Sequence, residues 1–254
     1  MTHSLFISTT EAGSGKAPVS LGIIELLLRR TTKVHFFRPL VRSPEHQPPS
    51  KGDISPLGPQ GDEDIDLMLR HFNLNQTYAE SYGLQSRQAN DLISQHRLDD
   101  AIDIIISKFK ILEARGDFLL CEGSDYLGES SAFEFNFNQE IAKNLGAPIL
   151  ILANARDRSI EDTLSPVQQA VEAYRSDSCD IVGIIINQAA ADQVADLKAE
   201  LHQQFGHHGW LLAVMPHLPR LGSPRMRDIA TQLGAEVLYG HRRLKNLATN
   251  RIVA

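Results

Sequence analysis

The stretch TTEAGSGKAPVSLG, residues 9 to 22, holds residue types that gather phosphates. Gly13 and Gly15, with the small Ser14 between them, let a backbone curl so that successive N–H groups point inward. At the start of a helix, with the ammonium of Lys16 beside it, such a nest favours an anion. The pattern then breaks. A Ser or Thr ordinarily follows the lysine and offers its hydroxyl to Mg2+, whereas this chain has Ala17. Pro18 lacks the N–H that could reach a further phosphate, although proline fits a first helical turn. The stretch predicts a loop that keeps its turn and has lost its metal arm. A glycine turn with a surface lysine accounts for the same residues with less chemistry.

Four more positions could complete a phosphate site. Arg38 stands near the end of VHFFRPLV, where a guanidinium could hold a phosphate or a carboxylate, or pair with the acidic run that follows. Glu122 closes an apolar strand in DFLLCEG. There it is placed to bind Mg2+ or a water, and equally to cap a neighbouring backbone. Asp62, Glu63, Asp64 and Asp66 mostly read as a solvated helix start, with Asp64 the candidate to turn toward a metal. Asn187, in GIIINQ, could contact a base through its amide or serve as a turn residue. The candidate nucleotide-binding set is Gly13, Ser14, Gly15, Lys16, Arg38 and Asn187, and the candidate metal set is Asp64 and Glu122. No residue is assigned a catalytic role. The ten histidines show no metal-ligand spacing, and neither Cys121 nor Cys179 has a basic neighbour along its strand to activate a thiol.

The apolar patterning supplies a scaffold for these residues. SLFIST, KVHFFRPLV, DFLLCEG, PILILAN, DIVGIIINQ and WLLAVMP read as six short buried strands, the second ending near Pro39. Helices are predicted from Lys16 to Arg30, over DEDIDLMLRHF, from Leu98 to Ala114, and over NQEIAKNLG, IEDTLSPVQQAVEAYR and QVADLKAELHQQFG. Alternating strands and helices predict an open, mostly parallel α/β sheet with helices on both faces. Ligands of such sheets bind at the carboxyl ends of the strands. The proline-rich residues 43 to 62 predict a loop. After Pro219 the patterning changes. The expected division is a P-loop domain over 1–219 and, over 220–254, a linker with the start of a second, incomplete module.

With 42% hydrophobic and 22% charged residues, the 254-residue chain can build a real core. Its formal charge of −6 argues against a nucleic-acid surface. No stretch approaches the roughly 20 apolar residues that span a bilayer, and two cysteines give no disulfide framework. The expectation is a soluble cytoplasmic protein binding neither nucleic acid nor membrane.

Together, TEAGSGKAPVSLGIIELLLRR, VHFFRPLV, DFLLCEGSDYLG, FEFNFNQEIAKNLGAPILIL and GIIINQ resemble the dethiobiotin-synthetase-like P-loop domain at the amino terminus of long-form phosphate acetyltransferases. MPHLPRLGSPRMRDIATQLGAEVLYG is similar to the linker and the opening of the regulatory module that follows there. The resemblance implies a P-loop NTPase-like α/β domain that does not itself carry the acetyl-transfer site, which in full-length enzymes lies in a separate carboxy-terminal domain. It implies a regulatory or scaffolding role and weak or lost binding of ATP or another nucleotide, with Ala17 standing against Mg2+. It also implies a phosphate acetyltransferase catalytic domain as partner, in cis or in trans, and a homo-oligomer. True dethiobiotin synthetases keep Lys-Thr after the glycine and a lysine before the second strand's proline; here Ala17 and Arg38 occupy the matching positions. An ATP-dependent carboxylate ligase of that kind is one competing reading. A structural oligomerisation module binding no ligand is the other.

Overall fold

The computed structural model describes residues 3–11, 13–43, 61–124, 131–219, 223 and 225–248, with 131–134 and 232 described in their backbone only. Seven strands are present among them: β1 (His3–Thr9), β2 (Val34–Val41), β3 (Tyr82–Gln85), β4 (Phe118–Glu122), β5 (Ile149–Asn154), β6 (Ile181–Ala189) and β7 (Leu211–Pro216). They form one sheet in the order β3-β2-β4-β1-β5-β6-β7, and every pairing is parallel. The connecting helices are α1 (Lys16–Leu28), α2 (Glu63–Phe72), α3 (Ser86–Ser94), α4 (Leu98–Glu113), α5 (Ser131–Leu145), α6 (Ile160–Ser176) and α7 (Val194–Phe205).

A parallel sheet covered on both faces needs strands that are apolar throughout, and β2 is buried at all eight positions. Because side chains alternate across a strand, neighbouring residues feed opposite cores. Phe6, Phe37 and Leu119 join one apolar cluster with Phe109, Ile141, Ile151 and Tyr174. Ile7, Phe36 and Leu120 join the other with Ile24, Ile65, Met68 and Leu150. The chain order reverses around β1, which has β4 on one side and β5 on the other. The carboxyl ends of these strands therefore border the crevice in which doubly wound sheets place their ligands.

Three sequence expectations change. β3 and α3 were not expected, because a four-residue strand containing Gly83 leaves too little pattern to read. β2 does not stop near Pro39 but runs on to Val41. Its pairing with β4 ends at Phe37, while Arg38 and Leu40 pair with β3, so the missing N–H of Pro39 falls beyond the last β4 contact. α1 closes at Leu28, before Arg30, and α5 starts at Ser131, a turn and more before NQEIAKNLG. The proline-rich loop expected over 43 to 62 lies, apart from its ends, outside the described residues.

The described residues divide into two units, one holding 3–43 and 62–216 and the other holding Gly61 and the described residues from His217 on. Within the second, α8 (Met226–Gln232), a 3-10 turn at His241–Arg243 and an antiparallel bridge between Arg225 and Leu247 are the regular features among the described residues, and Leu233, Leu238 and Tyr239 stay exposed. Among the described residues no helix is long and apolar enough to cross a membrane.

Candidate functional site

The loop between β1 and α1 turns on two left-handed glycines, Gly13 at φ 71° and Gly15 at φ 78°. Gly13 has open space around it and needs only the conformation. Gly15 needs the space as well: a Cβ there would lie 2.5 Å from Asn187 Nδ2 and 3.1 Å from Gln188 Nε2. Gly15 caps α1, and no side chain closes the helix start. Left-handed glycines at a helix start are the backbone conformation from which anion nests are built.

Amides from β5 and β6 brace this turn on one side. Asn187 Nδ2 donates to the Ser14 carbonyl at 3.0 Å and to that of Gly15 at 3.5 Å. Gln188 Nε2 and Asn154 Nδ2 both donate to the Gly13 carbonyl at 3.4 Å. Asn187 Oδ1 accepts from the Gln188 backbone N–H at 2.9 Å, so both ends of the Asn187 amide are engaged within the fold.

Charged groups from β2, β4 and the start of α2 brace the other side. Lys16, expected on a surface or facing an anion, is buried, and its ammonium donates to the Gly123 carbonyl at 2.5 Å. It also lies 4.0 Å from Glu122 Oε1. Glu122 is wholly buried at the end of β4; its Oε2 accepts the Ser20 hydroxyl at 2.6 Å, and its Oε1 lies 3.9 Å from Arg38 Nε. Arg38 Nη1 donates to both oxygens of Asp62, at 2.7 and 2.9 Å, and to Asp64 Oδ2 at 3.0 Å. Asp62 also caps α2 by accepting from the Ile65 N–H at 3.1 Å. Burial alone would lower the Arg38 pKa. The charges of Glu122, Asp62 and Asp64, with the Asp62 hydrogen bond, outweigh it and raise the pKa, so the guanidinium stays charged. Beyond Gly123 the chain is pinned by Asn138, whose Oδ1 accepts from the Ser124 N–H at 3.0 Å.

The residues expected to form a site do gather at one end of the sheet, but they mostly face each other. Arg38 and Asp64, candidates for an anion and a metal, bind one another, which is the alternative in which Arg38 pairs with the acidic run. Asn187 holds the loop through its carbonyls. The sequence reading missed Ser20, Asn138, Asn154 and Gln188, while its alternative of Arg38 pairing with the acidic run is the arrangement found at Asp62 and Asp64. Ser20 was the most findable, since it lies four residues after Lys16 and so one helical turn along the same face.

A Mg2+ nucleotide is the group such a loop ordinarily holds. The side chains present do not fit its metal. Ala17 has no hydroxyl, the Ser20 hydroxyl donates to Glu122, and Arg38 lies among the carboxylates that would serve as ligands. Among the described residues no three metal-ligating side chains converge.

An AAA-domain family model matches residues 3–225. The chain belongs to this family. Over its whole length it is 42% identical to a phosphate acetyltransferase of Synechocystis sp. and 36% identical to one of Nitratidesulfovibrio vulgaris. In each case the match covers 35% of the relative, so the chain spans about a third of the length of these relatives, their amino-terminal third. The dethiobiotin-synthetase-like P-loop domain recognised in the sequence is thus the domain present. Among solved structures, the MinC:MinD cell division protein complex of Aquifex aeolicus gives a TM-score of 0.53 at 12% identity, covering 92% of this chain and 87% of that one. A plasmid partition protein of Borrelia burgdorferi B31, bound to AMPPNP, gives 0.52 at 10% identity, covering 96% and 94%. At these identities the likeness concerns the fold, which is that of P-loop NTPases.

Proposed function

We propose that this chain is a non-catalytic regulatory or scaffolding P-loop domain of the phosphate acetyltransferase type, binding a phosphoryl anion weakly and without Mg2+. The observation that carries this reading is the placement of the site's two cations. Lys16 is buried on the Gly123 carbonyl, and Arg38 is buried among Asp62, Asp64 and Glu122. An incoming triphosphate would have to draw either one away from a partner it already has. The missing metal contact at Ala17 and the missing N–H at Pro18 each weaken binding by about 1–3 kcal/mol. Acetyl transfer, the activity named for the relatives, belongs on this reading to a catalytic domain that partners this one in cis or in trans. Residues 220–254 serve as a linker and the opening of a further module, and the assembly is a homo-oligomer in the cytoplasm.

AMPPNP in the plasmid partition protein makes a nucleoside triphosphate the first ligand to test. Calorimetry with ATP, with and without Mg2+, should give an affinity of tens of micromolar or weaker that Mg2+ hardly changes. The purified chain should form no acetyl-CoA from acetyl phosphate. Sub-micromolar, Mg2+-dependent ATP binding, or acetyl-CoA formation, refutes the proposal. A structural module that binds no ligand is the second reading, favoured by the same burial of Lys16. Failure of both ATP and inorganic phosphate to bind selects it.

A further inference from the structure

We propose that Arg38 is the resident cation of this site, a guanidinium standing among the acids where a metal-dependent P-loop protein would hold a divalent ion. Its Nη1 has three carboxylate oxygens within 3.0 Å, two from Asp62 and one from Asp64. On its inner side Nε lies 3.9 Å from Glu122 Oε1. One side chain from β2 therefore joins the end of β4 to the first residues of α2. The inference rests on the reading that the site works without a metal, and it does not require the loop to bind anything.

The chemistry of the surroundings suits a guanidinium better than an ion. Glu122 is wholly buried and Asp62 nearly so, whereas Asp64 keeps about a quarter of its side chain exposed, at 26%. Mg2+ requires near-octahedral ligands at about 2.1 Å and gives up its waters reluctantly. A planar fork with five donors spans separated carboxylates and keeps its charge when buried. Asp62 and Asp64 meet the guanidinium at Nη1 while Glu122 lies toward Nε, so the three carboxylates approach it from two sides, and among the described residues no trio is placed to hold a metal ion. Among the described residues two cations, Lys16 and Arg38, face the three carboxylates. Asp64 lies in the first turn of α2, where the helix dipole favours a negative charge.

The test compares melting temperatures in chelator-treated buffer and after addition of millimolar Mg2+ or Mn2+. The wild-type chain should not respond to either ion. Arg38→Met keeps most of the stem's bulk and removes the charge, and its melting point should fall by roughly 10 °C. Mg2+ or Mn2+ should then restore about half of that loss or more, because a hydrated Mg2+ needs only one or two carboxylates and Asp62 and Asp64 supply them. Adding Asp64→Asn to Arg38→Met should shift the restoring concentration upward by about tenfold or abolish the effect. Arg38→Lys, which keeps the charge, should stay folded and insensitive to metal. Stabilisation of the wild type by Mg2+ alone overturns the proposal. So does an Arg38→Met chain that fails to respond to metal, or that fails to fold even with metal present, and so does a metal response in Arg38→Lys. Tight Mg2+-dependent ATP binding would remove the proposed function and this inference together, whereas failure of ATP and phosphate to bind, with the metal responses as expected, would remove only the anion-binding part of that function and leave the role of Arg38 standing.

Discussion

On the β5–β6 side of the β1–α1 loop, the uncharged amides of Asn154, Asn187 and Gln188 donate to three successive backbone carbonyls at 3.0 to 3.5 Å. On the β2–β4 side, Lys16, Arg38, Glu122, Asp62 and Asp64 form a connected set of charges, most of it buried. The two sides grip one turn with contacts of different kinds. A neutral amide bond nets about 0.5–1.5 kcal/mol, and water can replace it wherever the donor is exposed. A buried charge gives no such exchange, because removing one member leaves another uncompensated at a cost of about 3–5 kcal/mol. The loop is therefore adjustable from the amide side and fixed from the charged side.

Glu122→Ala should break the comparison most sharply. It strips the buried counter-charge from Lys16 and Arg38 and the acceptor from Ser20, so urea denaturation should show a loss of about 3–5 kcal/mol. A loss below about 1 kcal/mol would mean that the charges act separately and the contrast is false. Next in size is Gly15→Ala, which places a Cβ 2.5 Å from Asn187 Nδ2 on a backbone at φ 78° and should cost about 1–3 kcal/mol. Combined with Asn187→Ala, which removes the clashing group, it should cost less than the sum of the two single changes. Strict additivity would show that Asn187 does not press on the turn.

Asn187→Ala alone leaves the Ser14 and Gly15 carbonyls without their amide donor and should cost about 1–2 kcal/mol. Asn154→Ala removes two exposed bonds, the 3.4 Å one to the Gly13 carbonyl and the 2.9 Å one its Oδ1 accepts from the Arg156 N–H, and should stay below about 1 kcal/mol. Equal losses at these two positions would remove the gradation expected on the amide side. A control of comparably small size lies away from the loop. The backbone N–H of Thr77, then its hydroxyl, then Arg115 hold the Glu80 carboxyl down at about 2. Since its folded pKa lies below the ordinary value, its stabilisation is complete above pH of about 4.5 and is lost as pH falls through about 2. Glu80 is partly exposed, so the contribution is below about 1 kcal/mol. Glu80→Gln should lower stability by up to that amount above pH of about 4.5 and leave it unchanged below about 2, so that the acid limb becomes flatter.

The alternation of apolar runs made six of the seven strands readable, because a parallel strand covered on both faces is a plain hydrophobic block. Tyr82–Gln85 escaped because four residues with a glycine among them carry no period. For the site, residue type and spacing located the right end of the sheet without giving the direction of the side chains. A lysine after a glycine turn reads the same whether its ammonium faces solvent or the Gly123 carbonyl. That choice depends on β4, more than a hundred residues away in sequence. Asp62 could be read as a helix start, and it is one, but its bond to Arg38 requires β2 and α2 to meet. Asn154 and Gln188 gave no signal, since a strand-end amide has many uses and only the folded loop selects this one.

The interlocked charges around Glu122 bear on inheritance as well as on stability. A descendant that lost Lys16, Arg38 or Glu122 by a single substitution would keep the other charges buried and poorly matched, so intermediate sequences fold badly. Ala17 and Pro18 lie outside that lock and are free to drift. On the proposed function, the motif can thus outlive the reaction that first required it. In such a lineage the lysine persists as mechanical necessity, and the neighbour that marks catalysis is the residue able to disappear.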